Sequence, residues 1–128
     1  METQVLYNSD LHFEHVQWNR ELSFWEDELK SFNKRLEELV MRWTDKEVLA
    51  KLEHYQNEFI LHDKRIAELQ AAIEAHEIRM AALSKAKKDV LDTQLVKKHF
   101  EFRNKMETQR EIYANLKKEF FRFLSKYM

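Results

Sequence analysis

The chain contains no glycine, no proline and no cysteine. Average composition would supply about 15 glycine and proline residues at this length. Tight hairpins, β-bulges and phosphate-binding loops depend on the backbone conformations that these two residues allow, so their absence disfavours β architectures and nucleotide-binding loops. The absence of cysteine excludes disulfides, thiolate metal sites and cysteine nucleophiles. The composition therefore favours an all-α fold.

Two further absences concern location. The N-terminal segment lacks the basic start and the apolar run of a secretory signal, and no stretch approaches the ~18 consecutive apolar residues of a membrane span. A chain without cysteine also suits a reducing compartment. We therefore expect a cytoplasmic protein that does not associate with membranes, folded as a single domain over residues 1–128.

Three long stretches repeat an apolar residue at alternating steps of four and three, the heptad pattern of helices packed in coiled-coil fashion. These stripes cover residues 11–43, 48–83 and 95–127. They predict helices over about 9–42, 45–86 and 91–127. Because the connections are short, each helix must run antiparallel to the one before it. The predicted fold is an up-down-up, coiled-coil-like bundle of three long antiparallel helices.

The segments between the stripes carry signals of helix ends. Thr44 followed three residues later by Glu47 predicts a capping box, with Thr44 as the N-cap of the second helix. The run from Lys85 to Asp89 combines cations suited to a helix C-terminus with an aspartate able to cap the third helix. The second loop is therefore predicted near residues 86–91.

Charge is unevenly distributed although the net charge is only −1. Residues 1–43 carry −4, residues 44–90 carry −1 and residues 91–128 carry +4. The first and last thirds are therefore expected to attract each other. The basic residues of the last third are interleaved with glutamates and accompany no aromatic-basic recognition motif, so we expect no nucleic-acid binding.

Polar side chains occupy five predicted core positions: His15, His62, His76, His99 and Gln109. Four of the six histidines thus fall on core positions, more than an even scatter along the chain would place there. The register set by the loops places His15 opposite His76, and His99 within one helical turn of His76. His12 lies at the same level on the first helix. The pattern predicts a cluster of His12, His15, His76 and His99.

Two interpretations of this cluster are open. Imidazole is a common transition-metal ligand, and three of the histidines would hold Zn²⁺ with a fourth place for His12, water, Glu14 or Glu77. Alternatively, each histidine is a core residue that shares hydrogen bonds with a neighbour and fixes the register of the helices. Lys98 and Arg79 nearby weigh against a bound cation. We therefore expect a polar layer without any cofactor, with the Zn²⁺ site as the alternative.

Other catalytic and metal-binding patterns are missing from the sequence. Ferritin-like di-iron sites need Glu-x-x-His repeats, and no histidine here follows a glutamate at that spacing. His54 and Glu58 resemble one element of the hemerythrin ligand pattern, but its other elements are absent. No serine is accompanied by an evident base and a residue to orient it. We therefore expect that the protein is not an enzyme.

A second apolar seam is suggested by residues that fall outside the stripes: Phe13, Val16, Phe24, Val96, Phe100, Phe121 and Leu124. Such a seam either widens the core of the monomer or forms a subunit interface. Since a lone three-helix rod is thinly covered along its length, we expect a homodimer. The expected function is a non-enzymatic helical bundle that acts through self-association or protein–protein contacts. The alternative is a metal-binding bundle.

Overall fold

The computed structural model describes residues 8–85 and 93–127 and folds them into three α-helices. These are α1 (Asn8–Arg42), α2 (Lys46–Lys85) and α3 (Thr93–Tyr127). The all-α prediction is confirmed, and each helix begins and ends within two residues of the predicted position. The second loop, predicted near residues 86–91, lies outside the described residues. None of the described helices combines the length and hydrophobicity of a membrane span.

The three predicted stripes form the core of the bundle. The buried apolar residues are Leu11, Trp18, Leu22, Trp25, Leu29, Leu36 and Leu39 of α1, Val48, Leu52, Phe59, Ile66, Ile73 and Met80 of α2, and Leu95, Phe102, Met106, Tyr113, Leu116, Phe120 and Phe123 of α3. Full burial of one large apolar side chain stabilises a fold by about 1.5–3 kcal/mol relative to exposure. Since isolated helices gain little from propensity alone, this shared burial is what holds the three helices together.

Ring contacts between α1 and α2 show that these helices are antiparallel. The His15 ring lies 5.2 Å from the His76 ring, and the Phe32 ring lies 5.7 Å from the Phe59 ring. Residue numbers therefore fall along α2 as they rise along α1. The predicted register, which placed His15 opposite His76, is the one observed.

The third helix runs antiparallel to α2 and hence parallel to α1. His76 contacts Phe102, and Phe59 contacts Phe120, with ring centroids 5.3 Å and 4.9 Å apart. Three ion pairs, each joining residues 89 apart in sequence, link α1 to α3: Glu14–Arg103, Glu21–Arg110 and Glu28–Lys117. Their heptad spacing and constant separation are those of parallel helices in register. These three ion pairs are the form that the predicted attraction between the acidic first third and the basic last third takes in the structure.

The start of α2 differs from the prediction in its capping residue. The Asp45 carboxylate accepts hydrogen bonds from the backbone N–H groups of Glu47 at 2.8 Å and Val48 at 3.3 Å. Asp45 is therefore the N-cap, and the prediction of Thr44 was wrong. A carboxylate suits this position better than a hydroxyl because its negative charge also opposes the helix dipole.

The residues outside the stripes lie largely at the surface. Phe13 and Phe24 are 62% and 59% exposed, and Phe100 and Phe121 are also exposed. The other three members, Val16, Val96 and Leu124, are half-buried. The four phenylalanines of the second seam are therefore not buried in the monomer core.

The cap assignment leads to a prediction about stability. Asp45→Ala leaves two N–H groups at the start of α2 without their acceptor, so we expect a loss of about 0.5–2 kcal/mol in the free energy of unfolding. Thr44→Ala is the matched control and should change it by less than about 0.5 kcal/mol. Urea denaturation followed by circular dichroism measures both variants. A larger loss for Thr44→Ala than for Asp45→Ala would restore Thr44 as the cap.

Candidate metal centre

One histidine from each helix meets in a single layer of the core. His15 of α1, His76 of α2 and His99 of α3 are 1%, 1% and 0% exposed. Their ring centroids are 5.0 Å, 5.2 Å and 5.9 Å apart. One ring nitrogen of each lies within 4.8 Å of the corresponding nitrogens of the other two. We call these three residues the histidine triad.

Apolar layers enclose the triad above and below. On one side the Trp18 indole stacks on the His99 ring, with centroids 4.9 Å apart, and Phe102 packs against His76. On the other side lies a small hydrophobic cluster, separate from the main core, of Leu11, Met80 and Leu95. Each member of this cluster is four residues from a triad histidine on the same helix. Along the bundle axis, the triad is therefore enclosed by apolar side chains.

Carboxylates bind the outer ring nitrogens of two triad members. His15 Nδ1 contacts Glu77 Oε2, and His99 Nε2 lies 2.9 Å from Glu14 Oε1. The guanidinium of Arg103 holds Glu14 from the other side, with Nε donating to Oε2 at 3.1 Å and Nη2 bonded to Oε1. The inner nitrogens, His15 Nε2 and His99 Nδ1, then face each other at 3.2 Å.

Both carboxylates are ionised acceptors at neutral pH. Burial by itself raises the pKa of Glu14, but hydrogen bonds from Arg103 and His99 outweigh burial and leave the pKa below its usual value. Burial also raises the pKa of Glu77, and hydrogen bonds from His15 and His12 again lower it overall. An ionised carboxylate only accepts hydrogen bonds, so the two histidines must donate to them.

This requirement determines which nitrogens carry the protons. A neutral imidazole has a single N–H, and His15 and His99 use theirs on the carboxylates. Two lone pairs then face each other across 3.2 Å, which is unfavourable unless a cation lies between them. A proton shared by the two rings is one such cation, and burial, which lowers the pKa of His99 despite the opposing effect of Glu14, disfavours placing it on His99. A metal ion is the other cation that satisfies both lone pairs.

His76 has a different environment. Within the described part of the chain, neither of its two buried ring nitrogens has a hydrogen-bonding partner. Burial, reinforced by His15 and His99, lowers its pKa to about 4, so the ring is neutral at neutral pH. A buried polar group without a partner costs about 1–3 kcal/mol. The polar-layer interpretation requires a partner for each histidine, and the described residues provide none for His76.

The remaining predicted site residues lie at the edge of the triad. His12 is exposed, and its Nδ1 contacts Glu77 Oε1 and not a triad member. Glu14 and Glu77, considered from the sequence as fourth ligands, contact the outer nitrogens of the histidines instead. Lys98 and Arg79 are exposed, so neither occupies the space between the three rings.

Arg103 contributes to the site although it was not among the residues predicted from the sequence. Its signal was present, because Glu14 and Arg103 occupy the heptad positions that flank the core and commonly form interhelical salt bridges. The pair repeats at Glu21 with Arg110, seven residues further along both helices. The Glu14–Arg103 pair can be predicted when charges are assigned to heptad positions and not only summed over thirds of the chain.

A second buried polar layer lies further along the bundle. Gln109 Nε2 lies 3.1 Å from His62 Nδ1, so this pair satisfies itself as a polar layer should. Burial, together with the charge of Arg65, lowers the pKa of His62. This layer matches the register-fixing interpretation that the sequence had favoured for all the core histidines.

Comparison of the chain with protein-family models, curated proteins and solved structures finds no match. The assignment of the site therefore rests on the geometry of the triad and on the protons that its hydrogen bonds require.

The lowered pKa of His62 predicts acid sensitivity. The unfolded chain has a histidine pKa of about 6.5 and takes up the proton first, because the folded-state pKa is lower. The stabilising contribution is therefore fully present above pH ~6.5 and is lost as pH falls through the folded-state pKa. For metal-free protein, we expect the free energy of unfolding in urea to fall as pH drops below about 6.5.

A double variant tests the attribution to this layer. Replacing His62→Leu and Gln109→Leu together removes the titrating group without leaving its partner unpaired. The stability of this variant should depend less steeply on pH than that of the wild-type chain. Equal slopes in the two proteins would contradict the assignment.

Proposed function

We propose that the protein binds one transition-metal ion, Zn²⁺ or another first-row ion, through His15, His76 and His99. The observation that carries the proposal is His76, whose two buried nitrogens find no partner among the described residues. An ion at the centre of the triad accepts a lone pair from His76 and also separates the facing lone pairs of His15 and His99. Three imidazoles are an established ligand set for such ions.

The distances support this ligand set. Four nitrogens arranged tetrahedrally at ~2.0–2.1 Å from Zn²⁺ are about 3.3 Å from one another. His15 Nε2 and His99 Nδ1 are already 3.2 Å apart, and the nitrogen of His76 completes a group within 4.8 Å. A shift of the His76 ring by roughly 1.5 Å brings all three nitrogens to coordination distance.

The carboxylates also support a metal ion. A histidine that binds a metal usually donates its other N–H to a carboxylate, which orients the ring and strengthens its lone pair. Glu77 plays this part for His15 and Glu14 plays it for His99.

The proposed role is binding and not catalysis. The sequence favoured a metal-free layer, and the geometry at His76 leads us to prefer the alternative. The sequence shows no nucleophile with its base, and the described neighbours of the triad above and below are apolar. We also propose a cytoplasmic location, in keeping with the cysteine-free sequence.

Metal titration tests the proposal. Protein stripped with a strong chelator should bind one Zn²⁺ per chain in isothermal titration calorimetry, and elemental analysis should find the same stoichiometry. At a free ion concentration of about 100 times Kd, binding adds about 2.7 kcal/mol to the free energy of unfolding. The melting temperature should then rise by roughly 5–10 °C.

Two histidine variants separate a ligand from a structural residue. His76→Leu should abolish the stoichiometric ion and the thermal shift. In a purely structural layer the same change would be neutral or stabilising, with no link to metal. His62→Leu is the matched control, because it removes a buried histidine outside the triad and should leave metal binding intact. A wild-type chain that binds no ion and is indifferent to chelator would overturn the proposal.

Self-association is a second candidate function, favoured by the exposed aromatic residues of α1. Phe13 and Phe24 are 62% and 59% exposed and lie eleven residues, about three turns, apart on one outward stripe. Exposed aromatic side chains aligned on one face are candidates for a contact surface between proteins. We propose that they belong to a homodimer interface.

Light scattering coupled to size exclusion tests the homodimer. The expected mass is about twice the 15.8 kDa of the chain, and Phe13→Ser combined with Phe24→Ser should return it to that of a monomer. Circular dichroism of the variant verifies that the helices persist. A wild-type monomer at about 100 μM protein would remove this candidate.

A further inference from the structure

Met80 lies next to the triad, and it differs from its apolar neighbours in its position relative to the histidine of its own helix. It is 2% exposed and follows His76 by four residues, so it occupies the next position along the same face of α2. With Leu11 and Leu95 it forms the hydrophobic cluster that covers one side of the triad. Each helix therefore contributes one residue to the layer directly beyond the histidines.

Helix direction distinguishes Met80 from the two leucines. Side chains on a helix tilt toward the N-terminus of their own helix. Leu11 and Leu95 precede their histidines, so they tilt away from the triad. Met80 follows its histidine on the antiparallel helix, so it tilts toward the triad. Of these three residues, Met80 is thus the one whose side chain helix geometry inclines toward the imidazoles.

The charge around the triad indicates which ion it suits. Glu14 and Glu77 contribute −2, and Arg103 and Lys98, whose charge acts on His76, contribute +2. These charged side chains balance one another, so a monovalent ion adds +1 to the site and a divalent ion adds +2. Burying uncompensated charge is costly, so the balance favours the monovalent ion.

We infer that Met80 supplies the fourth ligand through its Sδ atom and that the preferred ion is copper(I). Thioether sulfur is a soft ligand that selects Cu(I), while Zn²⁺ takes thiolate, imidazole and carboxylate ligands. Three imidazoles and one thioether form a neutral set around a monovalent ion. This inference rests on the proposed metal-binding function and specifies its ion.

The test compares two methionine variants under anaerobic, reducing conditions. Met80→Leu conserves volume, removes the sulfur and should keep the helices, which circular dichroism verifies. Met106→Leu is the matched control, since Met106 is equally buried but lies in the main core of the bundle. Competition with a chromogenic Cu(I) chelator gives the Cu(I) affinity, and calorimetry gives the Zn²⁺ affinity.

We expect Met80→Leu to lower the Cu(I) affinity by about tenfold or more and to leave the Zn²⁺ affinity within about threefold. Met106→Leu should match the wild-type chain for both ions. Unchanged Cu(I) affinity in Met80→Leu, with one ion still bound, would overturn the role of Met80 but not the metal site. A wild-type chain that binds neither ion would overturn the proposed function as well.

X-ray absorption at the copper edge provides a measurement that needs no variant. The wild-type protein loaded with Cu(I) should show one sulfur together with nitrogen ligands in the inner coordination sphere. A sphere of nitrogen and oxygen ligands alone would overturn the inference.

Discussion

Heptad packing between three unbroken helices determines nearly everything else in this molecule. Without glycine or proline in the chain, the helices have no residue type that readily bends or ends them part-way. The register set at the first loop is therefore carried along the whole hairpin, from Phe32 facing Phe59 to His15 facing His76. A histidine cluster far from the loop is positioned by the same apolar contacts that stabilise the bundle.

This constraint explains how much could be predicted from the sequence. Heptad spacing reports the level and the face of each side chain, so the three helices and the convergence of His15, His76 and His99 followed from it. It does not report rotamers or hydrogen-bonding partners. The sequence therefore could not show that Glu77 and Glu14 bind the outer nitrogens of the histidines, or that His76 has no partner among the described residues.

The misassigned cap has a similar cause. Thr44 and Asp45 are both good N-cap residues, and the sequence spacing satisfies a capping box for the first of them. Which of the two residues caps α2 depends on where the hydrogen bonding of α1 ends. That hydrogen bonding extends to Trp43, because its N–H still bonds to the carbonyl of Leu39. Thr44 is left in the connection, and Asp45 is the residue whose carboxylate reaches the free N–H groups of α2.

The two buried histidine layers of this chain permit a direct comparison. His62 and Gln109 form a pair joined by a hydrogen bond between Gln109 Nε2 and His62 Nδ1, as expected of a layer that fixes register. If the triad had the same task, a similar pairing of its histidines would suffice. Instead the carboxylates use the N–H groups of His15 and His99 and leave inner lone pairs facing each other. Such an arrangement costs stability when empty. If the proposed ion binds there, its binding free energy becomes folding free energy and offsets that cost.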